Sequence, residues 1–300
     1  PGVQTTSDFS SALYVRGSTP DQNLIMLDGI AIYNPYHLGG IFSTFNTDAI
    51  KEADFHAGGF PARYGGRMGA ILNVINREGN TEKITGSANL SLISSKALIE
   101  GPIPKWKDMK GSWMISGRRT YIDKVVNALN LPSGSKRADG SDVPLEFPYY
   151  FYDYQIKTNI DFNQDHRLTF TRFYGDDVLD FSYEDPSETI SNENVSIQQE
   201  SQFGLNWPWG NQTNGLTWRW IISPKMVAKT FLSNSRYRFD FDLSFQSRDT
   251  YTYIDSTVIN FTNFNWNIYD IIKDQTLESE VQYKYSNDHE ITSGFQIKRI

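Results

Sequence analysis

Between Tyr150 and Phe162 the chain alternates residue by residue between apolar and polar side chains. Tyr150, Tyr152, Tyr154, Ile156, Ile160 and Phe162 hold one set of positions, with Thr158 their single polar member. Asp153, Gln155, Lys157, Asn159 and Asp161 hold the other, with Phe151 the single apolar one. Successive side chains of a strand point to opposite faces, so this segment predicts a strand with one greasy face and one wet, charged face. A soluble half-buried strand shares that pattern. Recurrence narrows it: Ile84–Leu92, Leu216–Ile222, Val281–Tyr285 and the run from Ile291 to Ile297 repeat the beat. A membrane-spanning β-strand needs about 9–11 tilted residues with alternating faces and aromatics near its ends, and several of these segments meet that specification.

Composition closes other routes. A net charge of −7 without a basic cluster argues against a nucleic-acid binder. The absence of cysteine excludes disulfides, thiolate metal sites and Cys nucleophiles. Aromatics at 14% of the chain fit a Tyr- and Trp-ringed membrane interface. No apolar run approaches the roughly 20 residues of a transmembrane helix, so a membrane-spanning reading of this chain is a barrel. Pro1-Gly2-Val3-Gln4 lacks the basic and apolar regions of a signal peptide, and Lys298-Arg299-Ile300 falls inside an alternating strand. Both ends read as cut, which predicts a fragment.

Residues 1–80 differ from the rest. They are dense in glycine, and their apolar runs are short. Leu24–Leu27, Asp28-Gly29 and Ile30–Tyr33 predict a tight hairpin, because Asp-Gly supplies the positive φ angles of a two-residue turn. Asp48–His56 predicts a short helix or a helix-to-strand passage, and Ala70–Ile75 a strand. The expectation is a small α+β domain. After Lys83, strands are expected at about 83–93, 96–103, 111–120, 149–162, 167–176, 209–222, 226–239, 264–285 in part, and 290–300. Short turns near Pro104–Lys110, Asn163–His166, Ser223–Lys225 and Ser286–His289 alternate with long stretches at about 120–148, 177–208 and 240–263. Short turns at one end and long loops at the other mark an outer-membrane barrel. About nine strands are too few to enclose such a domain, since a plugged barrel has about 22.

Three segments carry a family resemblance: Leu13-Tyr14-Val15-Arg16-Gly17, Asn23–Gly29 (NLIMLDG) and Phe55–Asn80 (FHAGGFPARYGGRMGAILNVINREGN). They resemble the plug of TonB-dependent outer-membrane receptors, of the Bacteroidetes-type branch. The resemblance implies a plug over residues 1–80 and the N-terminal portion of a transmembrane barrel over 81–300. It implies no enzyme and no cofactor, but uptake of a nutrient (metal chelate, glycan or peptide) across the bacterial outer membrane, with the plug in the barrel lumen. TonB would engage a segment upstream of Pro1, and the partners would be outer-membrane lipid, the small nutrient and, where present, a surface lipoprotein. Tyr64–Leu72 reads YGGRMGAIL, so the chain is less similar to the carbohydrate-importing SusC-like subgroup. An outer-membrane assembly or secretion component with a receptor-like fold, and a soluble β-rich glycan binder, are the rival readings.

Among individual residues, Arg16, Arg63 and Arg67 are candidates to latch the plug to inward-facing carboxylates such as Asp153, Asp161 and Glu280, because guanidinium forks pair well with carboxylates. Static surface ion pairs of little worth are the plain alternative. Gly17, Gly58, Gly59, Tyr64, Gly65 and Gly66 complete the structural set, the glycines for tight turns and close approach to the wall, and Asp28 and Gly29 as a turn. Tyr33, Asn34, Tyr36 and His37 form a polar-aromatic apex that could touch substrate or be an ordinary plug loop. His166 and His289 sit in matching short turns, and no His-x-x-x-His spacing points to a metal. Asp176-Asp177 and Glu184-Asp185 fall in an expected loop, as solvated charge or a cation site. Tyr149, Tyr150, Trp207, Trp209, Trp218 and Trp220 suit an interfacial girdle.

Overall fold

A computed structural model describes residues 3–4, 12–105, 109–130, 132–136, 142–144, 146–192 and 195–300. Pro1-Gly2, part of the expected Pro104–Lys110 turn and part of the 120–148 stretch lie outside the described residues.

The N-terminal unit is built on a four-stranded sheet of β3 (Leu24–Leu27), β4 (Ile30–Ala31), β7 (Ile50–His56) and β8 (Ile71–Asn76), in the order β4-β3-β8-β7. β3 and β8 are parallel, and the other pairs are antiparallel. Two small pairs flank it: β1 (Val3–Gln4) with β2 (Tyr14–Val15), and β5 (Tyr36–His37) with β6 (Phe42–Ser43). Its helical share among the described residues is three single-turn 3-10 helices. The one at Thr47–Ala49 leads straight into β7, so Asp48–His56 is the turn-to-strand form of the expected passage. Asp28 and Gly29 have φ of 52° and 83°, the two left-handed positions that a type I′ hairpin requires.

The second unit is one antiparallel sheet of nine strands: β9 (Thr85–Leu90), β10 (Ser94–Pro102), β11 (Lys110–Thr120), β14 (Tyr149–Asp161), β15 (His166–Ser191), β16 (Val195–Ser223), β17 (Met226–Tyr253), β18 (Thr257–Lys284) and β19 (Glu290–Arg299). Helix α1 (Ile122–Leu129) and a small pair, β12 (Pro132–Lys136) and β13 (Asp142–Pro144), lie between β11 and β14. In β14 buried and half-buried residues alternate along most of the strand, as the sequence pattern requires. No helix among the described residues is long and apolar enough to cross a membrane.

One expectation is corrected. Residues 177–191, 195–208, 240–253 and 257–263 of the two expected loops are continuations of β15 to β18, which reach 26 to 29 residues each. At about 3.3 Å per residue such strands run on the order of 90 Å, well beyond a bilayer. Cross-strand rows hold the extension together: Phe181, Leu205, Leu243 and Trp266 pair in register, as do Tyr183, Phe203, Phe245 and Phe264. Polar residues between these aromatics hide the strand pattern from a reader of hydropathy alone.

The two units share a core. Ile25, Leu27, Ile32, Phe45 and Val74 of the N-terminal unit close around Phe173 of β15, and Ala49 packs on Leu98 of β10 and Met114 of β11. At about 25 cal/mol per Å² of apolar area, this burial ties the first unit to one face of the sheet.

Candidate functional site: the contact between plug and wall

The face of the sheet that carries Asp153, Gln155, Lys157 and Asn159 meets the N-terminal unit through polar contacts. The hairpin tip supplies the first. Asp28 Oδ1 receives Lys157 Nζ at 2.7 Å, with the two side chains only 7% and 8% exposed. The same carboxylate accepts from the Asn76 backbone N–H at 3.1 Å and from Asn76 Nδ2 at 2.9 Å. Asp28 is therefore more than a turn residue: the turn presents it, buried, to the wall.

His37 anchors a second group. Its Nδ1 lies 2.7 Å from Asp177 Oδ2 and its Nε2 3.7 Å from Asp153 Oδ2, while its ring stacks on Phe151 at 4.0 Å. Phe151, the apolar exception on the wet face of β14, is thus the floor under His37. The Leu38 N–H and the Tyr149 hydroxyl also donate to Asp177. Arg118 pairs with Asp153 at 2.7 Å and donates to the Ser43 and Thr44 carbonyls. Burial disfavours a charged imidazole, but the Asp153 and Asp177 carboxylates outweigh it and hold the His37 pKa above its ordinary value.

Further contacts widen the interface. Tyr33 donates to Asp274 at 2.9 Å, and Asp274 also pairs with Lys298 at 2.7 Å. Burial and that carboxylate push the Tyr33 phenol well above its ordinary range, so it is a standing donor. Asn211 Nδ2 donates to the Asn34 carbonyl, and Ser235 to the Ala31 carbonyl. Lys96 pairs with Asp48, and Arg77 with Glu100.

Of the three arginines named from sequence, Arg63 reaches the wall, 3.0 Å from Glu280. Arg67 donates to the carbonyl of Gly66. Arg16 and Gly17 form a left-handed turn (φ 51° and 85°), with the Arg16 guanidinium beside Gly58. Asp161 is taken by Arg167 of the neighbouring strand, at 2.6 Å. A Cβ on Gly59, Gly65 or Gly66 would meet open space, so these glycines serve turns and not close approach to the wall. Close approach occurs at Gly79, where a Cβ would collide with the Trp113 backbone. Tyr64 packs against His56 and under Arg63.

The apex expectation changes most. Tyr33, Asn34 and His37 are turned to the wall, and Tyr36, its hydroxyl buried, packs against the core shared with Phe173. Asp176 and Asp177 lie in β15, not in a loop, and point to opposite faces: Asp177 to His37, Asp176 to Arg238 at 3.0 Å. Tyr149, Trp207 and Trp209 belong to the cluster over Leu38 and Phe42 on the plug side, so they are no girdle. Trp218 and Trp220 stack with His166 on the opposite face. Among the described residues no group of three or more His, Asp or Glu is placed to hold a metal ion. Lys157, Arg118, Asp177 and Asp274 went unnamed as interface residues. For Lys157, Arg118 and Asp274, which fall in expected strands, the inward position was readable from parity but the partners were not; Asp177 fell in an expected loop, so neither was.

The geometry is that of a small, glycine-rich domain docked by buried polar contacts onto one face of an antiparallel wall. Residues 1–71 match the family model "TonB-dependent Receptor Plug Domain", and nine antiparallel wall strands follow the matched segment. No curated protein matches the chain in sequence. Solved structures similar to it include a mutant of the ferric enterobactin receptor PfeA from Pseudomonas aeruginosa (12% identity, 99% of this chain and 53% of that chain, TM-score 0.41). The siderophore receptor PirA of the same organism (12%, 98% and 58%, TM-score 0.40) and the outer-membrane transporter YddB from Escherichia coli (8%, 92% and 55%, TM-score 0.40) are two more. The chain spans between half and three fifths of the length of these structures.

Proposed function

We propose that this chain is the plug (residues 1–80) and the first part of the barrel wall (81–300) of an outer-membrane receptor that imports a nutrient by TonB-coupled movement of the plug. The observation that carries the reading is the division of labour between the two faces of the wall. One face docks a domain matching the plug model through Asp28–Lys157, Arg63–Glu280 and the His37 group. The other presents Leu216, Trp218, Trp220, Ile222, Phe295 and Ile297, each more than a third exposed, a surface that hydrocarbon would cover. Polar plug–wall contacts can exchange for water when the plug moves, whereas the apolar contacts at Phe173, Leu98 and Met114 are what its release would have to expose. The chain does no chemistry on its cargo. A metal chelate, a peptide and a glycan remain the cargo classes in view. The apex residues Tyr33, Asn34 and His37 are engaged with the wall, so cargo would meet the aromatic rows of the long strands first.

The test uses a strain lacking the receptor, grown with each cargo class as sole source of the limiting nutrient. Growth should fail on one class, and fail equally when TonB is deleted. TonB-independent growth on that class would rule out energised import.

A further inference from the structure

Strand parity sets a second pattern on the face turned away from the plug. Ser235 and Asp274 touch the plug, and Lys298 pairs with Asp274, so Arg236, Lys273 and Arg299 point outward. Arg236 and Lys273 are directly opposed across β17 and β18, and Arg299 is opposed to Gln275, one row away. Arg172 lies in that same row, through Asn214 and Asn234, and Arg238 lies one row to the other side. Like charges directly across a strand pair repel, so an anion between them is favoured. The protein answers this charge only in part: Asp176 pairs with Arg238 and lies near Arg236, Arg172 donates to the Tyr154 hydroxyl and to Asn214 Oδ1, Asp240 and Asp242 lie further along β17, and the buried Nε of Arg236 has no acceptor among the described residues.

Position completes the pattern. From Met226 to Arg236, from Lys284 to Lys273 and from Glu290 to Arg299, the strands cover 11, 12 and 10 residues, close to the about 9–11 that cross a hydrocarbon layer. The short-turn ends face the periplasm in such barrels, so the cations stand at the outer interface. Directly below them runs an apolar row, Phe170, Leu216, Leu232, Leu277 and Ile297, paired in register.

We propose that Arg236, Lys273 and Arg299, flanked by Arg172 and Arg238, hold the phosphorylated headgroup of an outer-leaflet lipid whose acyl chains lie on the apolar row. Guanidinium forks match phosphate oxygens in pairs, and the row beneath selects a lipid over a free anion. The inference rests on the membrane-wall reading above.

The test places the full-length receptor in phosphatidylcholine nanodiscs carrying either a bis-phosphorylated glycolipid or its dephosphorylated form, and counts retained lipid by native mass spectrometry. The bis-phosphorylated lipid should be retained. The variant Arg236→Gln/Lys273→Gln/Arg299→Gln should weaken retention by at least about tenfold, as expected for lost charge-assisted bonds. Arg236→Lys, which keeps the charge, should retain it. Equal retention of both glycolipids, or an unaffected triple variant, overturns the proposal, as does displacement by inorganic phosphate at matched concentration. Quenching of Trp218 and Trp220 by brominated acyl chains separates the two levels. Quenching without phosphate selectivity sinks the lipid site alone, and no quenching sinks the membrane wall with it.

Discussion

His37 is the residue where the plug commits itself to the wall. Its imidazole sits between two carboxylates of β14 and β15, with Arg118 and Tyr149 facing the same pair. Because its folded pKa is raised, its contribution is fully present below the ordinary value of about 6.5 and is lost as pH rises through the raised one. Plug attachment should therefore be strongest below about pH 6.5 and loosen as pH rises through the raised pKa, read as amide exchange of β5 and β6 against pH. His37→Gln should flatten that profile; an unchanged profile would remove His37 from the linkage. Asp28 and Lys157 make a second case. Asp28→Asn keeps the turn but strands a buried ammonium, and should cost about 3–5 kcal/mol. Adding Lys157→Met should recover much of that loss in a double-mutant cycle, whereas additive losses would mean the pair is not coupled. Sequence told half of this. Parity placed Lys157 and Asp153 on the wet face, and Asp-Gly announced the hairpin. The partnership of positions 28 and 157 depends on how two domains dock, which no local pattern encodes.

At the scale of the element, the plug contacts differ in strength. Arg63 is 40% exposed, so its bond to Glu280 is screened and should be worth about 1 kcal/mol or less. Arg63→Ala should barely move thermal stability, while Asp28→Asn moves it substantially; comparable shifts in melting temperature would contradict this ordering. Strand β7 is the exposed outer edge of the plug sheet, bonded only to β8. It should open before β3 and β8, which lie inside that sheet, and show the fastest amide exchange of the three. Where elements began was largely legible from alternation: Tyr149–Asp161 and His166 onward fall where the beat placed them. Where β15 to β18 end was not. Beyond the bilayer-length segment polar residues outnumber apolar ones, and pairing continues because Phe181, Phe203, Phe245 and Trp266 supply cross-strand packing without a strongly hydrophobic average.

For the whole molecule, sheet topology sets the strongest constraint. Among the described residues the nine strands run in an order that leaves β9 and β19 each with one unpaired edge. Unpaired backbone polar groups cost several kcal/mol each in hydrocarbon, which is why strands cross membranes only as closed barrels. β19 is the sharper case, because both its faces are exposed along its whole length and Phe295 and Ile297 are more than half exposed. The polypeptide of these 300 residues, refolded alone into detergent micelles, should therefore associate through these edges instead of remaining a monomer. Light scattering coupled to size exclusion should show a distribution of oligomers, and the outward amides of β19 should gain exchange protection as the protein concentration rises. A single monomeric species with β19 unprotected would show that micelle or water satisfies the edge. The nine-stranded wall would then be stable as an open sheet, and the requirement for closure, on which the barrel reading depends, would lose its physical basis.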